Sequence, residues 1–75
     1  MADMDIGEGQ AWDQIEECEA ELKELKITGV ETSDIEYVLK IARSFFKLGV
    51  FDRAFKYADR AHGMIEEKKK GKKEI

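Results

Sequence analysis

The strongest constraint on this chain lies in Ile41-Ala-Arg-Ser-Phe-Phe-Lys-Leu-Gly-Val-Phe-Asp-Arg-Ala-Phe-Lys-Tyr-Ala-Asp-Arg-Ala-His-Gly63, where two amphipathic helical patterns meet at one glycine. Gly49 lacks the Cβ that penalises the left-handed conformation in which helices commonly end. Beyond it, Ala54, Ala58 and Ala61 recur at helical spacing and let another helix backbone come close. The chain contains no proline, so nothing forces a kink or a stop inside a helix. A helical hairpin is therefore the frame on which the rest must fit.

A further helix is expected from about Ala11 to Leu25, with an apolar seam of Ala11, Ile15, Cys18, Leu22 and Leu25 and with Trp12 on its flank. Asp13, Glu16 and Glu17 fall in its early turns and Lys23 and Lys26 at its far end, as the helix dipole favours. Gly29 marks the first connection. Ser33, with Glu36 three residues on, predicts a capping box and a second helix from near Asp34. That helix carries a stripe of Ile35, Val38, Leu39, Ala42, Phe45 and Phe46, and a second row of Tyr37, Ile41 and Leu48. An arc this wide predicts contact with two neighbours and a central position. The third helix starts near Phe51 and buries Phe51, Ala54, Phe55, Ala58, Ala61 and Ile65, with Tyr57, His62 and Met64 beside them. Gly63 costs about 1 kcal/mol against alanine in a helix interior, so it predicts either a close packing contact or early fraying. The expected fold is an all-α, up-down-up three-helix bundle over residues 11–67, with a disordered N-terminus over 1–10 and a basic disordered tail over 68–75.

With 75 residues, one domain is all the chain can form, near the lower limit for a core without staples. A lone cysteine, Cys18, excludes an internal disulfide and predicts a reducing, cytoplasmic setting. The acidic start, Met-Ala-Asp-Met-Asp-Ile-Gly-Glu-Gly-Gln, has no apolar core of a secretion signal, and no apolar run suits a bilayer. Asparagine is absent and lysine and glutamate abound, a composition associated with heat-adapted proteins.

The net charge of −4 conceals a split. Residues 1–37 hold twelve acids against Lys23 and Lys26, a balance of −10, while residues 38–75 hold eleven bases against five acids, a balance of +6. Such polarity favours docking of the acidic first helix onto the basic half.

Chemistry is harder to find. No phosphate-binding glycine loop, nucleophile elbow or paired-histidine zinc motif exists. His62 is the only histidine and has no second imidazole or clustered thiol to share a metal. It reads as a half-exposed packing residue. Cys18 lies on the apolar seam among Glu16, Glu17, Glu19 and Glu21, which oppose the thiolate, and so reads as a small core hydrophobe. Asp13, Glu17 and Glu21 share one face of the first helix, expected to be convex and solvated. No catalytic residue, cofactor or metal ligand is expected, and the chain is read as a non-enzyme.

The spacing of Ala42, Phe45, Gly49, Phe51, Ala54 and Ala61 resembles the small and aromatic positions of one tetratricopeptide unit, although a solenoid needs about three. Over roughly residues 34–67, the run Ala42 to Gly63 also resembles a small archaeal family known as domain of unknown function 357. Shared features are the aromatic-x-x-Gly turn, the Ala-Phe pair and the Ala-His-Gly step. The chain departs at Val50, where an Asp commonly follows the turn glycine, and at Glu66-Glu67-Lys68, where the family continues with an apolar, glycine-containing end. The resemblance implies an archaeal, intracellular, all-helical protein with no established activity, and it carries no functional residues.

Two surfaces remain. Tyr37, Ile41 and Leu48 form an apolar row suited to a protein partner, an unidentified one or a second copy in a weak homodimer. Arg53, Lys56 and Arg60 form a row able to contact phosphates, with Lys40, Arg43 and Lys47 on the preceding helix. Overall acidity (pI ≈ 5.0) and the parallel acids Asp52, Asp59 and Glu66 weigh against nucleic acid. The expected function is a protein-protein interaction or scaffold module, with accessory nucleic-acid binding through the basic C-terminal half as the alternative.

Overall fold

A computed structural model describes the backbone of residues 6–73 and the side chains of residues 6–70; the expectations for 1–5 and 74–75 lie outside the described residues. Three helices follow in order: α1 (Glu8–Ile27), α2 (Ser33–Lys47) and α3 (Phe51–Lys73). They form the up-down-up bundle that the apolar periodicity predicts.

Both connections use one device. At the end of α1 the Val30 N–H donates to Leu25 O (3.2 Å) and the Gly29 N–H to Lys26 O (3.0 Å). At the end of α2 the Val50 N–H donates to Phe45 O (2.9 Å) and the Gly49 N–H to Phe46 O (3.0 Å). Each is a Schellman motif, closed by a glycine at φ 84° (Gly29) or 81° (Gly49). A side chain at either position would be strained.

Helix boundaries depart from the sequence reading at both ends. α1 begins three residues before Ala11, because Gln10 Oε1 accepts the Gly7 N–H (3.2 Å) and Ile6 packs onto the bundle. α3 runs to Lys73 rather than giving way at Lys68. Its last turns carry lysines, which the negative end of the dipole favours, and Lys68 reaches Asp34 at 3.6 Å. Gly63 is neither a packing contact nor a fraying point: α3 continues through it, and a Cβ there would meet no atom within 4 Å. The capping box of Ser33 and Glu36 does not form either. Thr32 is the N-cap, its buried hydroxyl donates to Glu36 Oε2 (3.0 Å), and the Ser33 hydroxyl turns back to Glu31.

Two apolar clusters make the core. At the end holding the α1–α2 connection, Cys18, Leu22, Leu25, Ile35, Leu39, Ala61 and Ile65 are buried, with Val30, Val38 and Met64 against them. At the end holding the α2–α3 turn, Ala11, Ile15, Ala42, Ala54 and Ala58 are fully buried. Phe45, Phe46, Phe51, Phe55 and Tyr57 pack over this alanine floor and remain half-buried. Four alanines bring the backbones close and leave no interior volume for rings. α3 rather than α2 is the central helix. It packs extensively on both others, while α1 and α2 meet along a smaller seam.

Candidate functional site

Between the apolar row of α2 and the cationic row of α3 stand two stacked rings, Phe45 and Tyr57. On α2, Tyr37 and Leu48 are 66% and 74% exposed, and Ile41 is half-buried. Phe45, also of α2, stacks on Tyr57 with ring centroids 5.5 Å apart. The Arg53 guanidinium lies 5.8 Å from the centre of the Phe45 ring, within cation–π reach. Arg53, Lys56, Tyr57 and Arg60 together line an open groove of about 270 Å³. Among the described residues none of Arg53, Lys56 and Arg60 makes an ion pair. The surface around the Phe45–Tyr57 stack is thus cationic along α3.

The charge split is only partly internal. Arg43 pairs with Glu19 across the α1–α2 seam at 3.1 Å, and Lys69 approaches Glu21 at 3.9 Å. In the opposite sense, Lys26 of α1 pairs with Glu36 of α2 at 2.9 Å. This contact, followed by the Thr32 hydroxyl, holds the Glu36 carboxyl below its usual range. Exposed pairs of this kind, screened by water and salt, add little to stability. They orient the helices more than they stabilise them.

Beside this face, at the α2–α3 turn, lies an aromatic chain that the sequence reading did not assemble. Trp12 sits 5.2 Å from Phe46, and Phe46 sits 5.3 Å from Phe51, centroid to centroid. Trp12 is 41% exposed. Glu8, Gly9, Trp12 and Phe46 border a groove of about 520 Å³, and Lys40, Arg43, Ser44 and Lys47 line its neighbour on the other side of the same ring pair. The available signal was that Phe46 and Phe51 bracket Gly49, which folds them onto one end.

The α1–α3 seam holds the third group. Cys18 is buried, and its thiol contacts Ala58 O at 3.1 Å as a donor. Burial first, then the carboxylates of Glu21, Glu17, Asp59 and Glu19, push this thiol up to about 12. It is a core hydrophobe, as its place on the seam predicts, and an inert one. One turn further along α1, Glu21 faces His62. The His62 Nε2 lies 3.9 Å from Glu21 Oε1 and 3.6 Å from Glu66 Oε2. Among the described residues Glu21 Oε1 is buried and has no hydrogen-bond partner.

Glu21, His62 and Glu66 offer three ligand atoms mutually within 4.8 Å. Carboxylates, rather than a second imidazole or a thiol, stand around His62. The His62/Glu66 spacing of four was visible in the sequence; the approach of Glu21 required the α1–α3 register. Glu21 therefore lies on the α1–α3 seam rather than on a convex, fully solvated face.

Among the described residues no helix is long and apolar enough to cross a membrane. No family model, curated protein or solved structure matches the chain.

Proposed function

We propose that this chain is a non-catalytic protein-binding module whose α2–α3 outer face docks an acidic, apolar-anchored helical segment of a partner. One observation carries the reading: Arg53, Lys56 and Arg60, which make no ion pair among the described residues, line a groove with Tyr57, whose ring stacks on Phe45 of α2, the helix that exposes Tyr37 and Leu48. An amphipathic helix laid along such a face buries its apolar stripe against α2 and sets its acids against α3. The aromatic residues Phe45 and Tyr57 supply rigid contact area at small entropic cost. The weak homodimer, joined through the row of Tyr37, Ile41 and Leu48, belongs to this proposal. So does the resemblance of roughly residues 34–67 to domain of unknown function 357, which implies an intracellular archaeal protein and adds no activity.

The test is affinity capture from the source organism with the unaltered chain, with a face variant (Leu48→Ser, Arg53→Glu, Arg60→Glu), and with a control altered on α1 (Glu16→Gln, Lys23→Gln). The proposal requires a protein retained by the unaltered chain and the control but lost from the face variant. A bound set identical for all three overturns it. A complex with tRNA or duplex DNA that dissolves with salt and is lost from the face variant would replace it with the nucleic-acid reading.

A further inference from the structure

We propose that Glu21, His62 and Glu66 form a binding site for one divalent transition-metal ion of the zinc class, joining α1 to α3. The three groups come from two helices and converge from two directions. His62 and Glu66 share a face of α3 one turn apart, and Glu21 reaches them from α1. In a tetrahedral zinc site with metal–ligand distances of about 2.0–2.2 Å, adjacent ligand atoms lie roughly 3.4 Å apart. The Nε2–oxygen separations of 3.6 and 3.9 Å are close to that edge and too long for hydrogen bonds. Small side-chain movements suffice to close the set.

The second observation is the state of Glu21. Its Oε1, the oxygen turned to His62, is buried and accepts no hydrogen bond from the described residues, whereas Oε2 has Lys69 at 3.9 Å. A buried carboxylate oxygen without a donor is costly, and a cation in the space it shares with Nε2 removes that cost. One imidazole and two carboxylates suit a borderline ion such as Zn²⁺ better than Ca²⁺ or Mg²⁺, which favour all-oxygen shells. Half-exposed His62 and exposed Glu66 leave an entry path and a position for water. The Cys18 thiol lies in the core, donating to Ala58 O, and stands outside the set.

Calorimetric titration of tag-free protein with zinc chloride, and absorption spectra with Co²⁺ as the spectroscopic substitute, test the site. Expected are one ion per chain, a cobalt spectrum lacking thiolate charge-transfer bands, and a thermal midpoint that rises with zinc. His62→Ala and Glu21→Gln should each weaken binding about 100-fold. Cys18→Ala should leave it unchanged, and Lys69→Gln should tighten it, because a competing cation leaves Glu21. Far-UV circular dichroism verifies that each variant is folded. Should either ligand variant fail to fold, Glu66→Gln and paramagnetic broadening of the amides of residues 21, 62 and 66 by Co²⁺ carry the same decision. Absence of binding up to about 1 mM zinc, affinity equal in unaltered protein and ligand variants, or a thiolate band would overturn the proposal.

Discussion

The two ends of the bundle draw on similar apolar stripes and finish differently. At the α1–α2 end, Leu22, Leu25, Ile35, Leu39 and Ile65 close the interior with aliphatic side chains. Around the α2–α3 turn, alanines form the floor and the rings of Phe45, Phe46, Phe51 and Tyr57 lie across its rim, half-exposed. Alanine sacrifices buried area for backbone proximity, so the rings stay half-exposed instead of entering the core. The aliphatic end is specialised for stability. The aromatic end retains unused apolar area beside unpaired cations, and the proposed partner face adjoins it.

That contrast breaks or sharpens under substitution. The largest effect belongs to the aliphatic end: Ile35→Ala, at a fully buried position, should cost about 3 kcal/mol. Phe45→Ala removes a larger side chain but only a half-buried one, and should cost roughly 2 kcal/mol rather than the 3–5 of a core phenylalanine. Denaturant unfolding of both variants decides; equal costs would erase the distinction between the ends.

The alanine floor admits the reverse experiment. Ala58→Leu overfills a site with no exposure and should destabilise by about 1–3 kcal/mol. A neutral or stabilising outcome in thermal unfolding would mean that the rings can retreat and the floor is not tight.

Cys18 gives a pH signature at the seam between the ends. Its folded thiol titrates near 12, against about 8.5 in an unfolded chain. A raised folded value stabilises fully below the unfolded one and is lost as pH climbs towards the folded one. Stability should therefore fall between about pH 8.5 and 12 more steeply in the unaltered chain than in Cys18→Ala, at up to about 1.4 kcal/mol per pH unit. Parallel curves would remove the thiol from the alkaline limb. The smallest effect is a gain: Gly63→Ala, in open space and in regular helix, should add about 0.5–1 kcal/mol, seen as a higher thermal midpoint.

Much of this architecture was legible because periodicity and glycine placement are local signals. The seam of α1 predicted from spacing, Ala11, Ile15, Cys18, Leu22 and Leu25, is the set the fold buries, and Gly29 and Gly49 mark its two turns. Relations between helices were less legible. The width of the apolar arc on α2 pointed to a central helix, yet the alanines of α3 permit closer approach and make α3 the hub. Phe45 and Phe46 read as interior residues because hydrophobicity does not disclose whether volume exists for a ring. The site residues divide the same way. Tyr37 and Leu48 were identifiable as surplus to the stripe, and Arg53, Lys56 and Arg60 as one helical row, but the Phe45–Tyr57 stack beside the cations depended on packing. Glu21 and His62 are separated by two helix lengths in sequence and met only through the register of α1 on α3.

The two Schellman turns carry a kinetic consequence. Each joins antiparallel neighbours through three or five residues, so α1–α2 and α2–α3 contacts close short loops quickly. The parallel α1–α3 pairing joins residues as distant as Cys18 and Ala58 and closes only after the chain has doubled back twice. Contacts of that range form late when local ones can nucleate. The seam of Cys18, Ala58, Glu21 and His62 thus acts as a latch: weakening it should quicken unfolding while barely slowing folding.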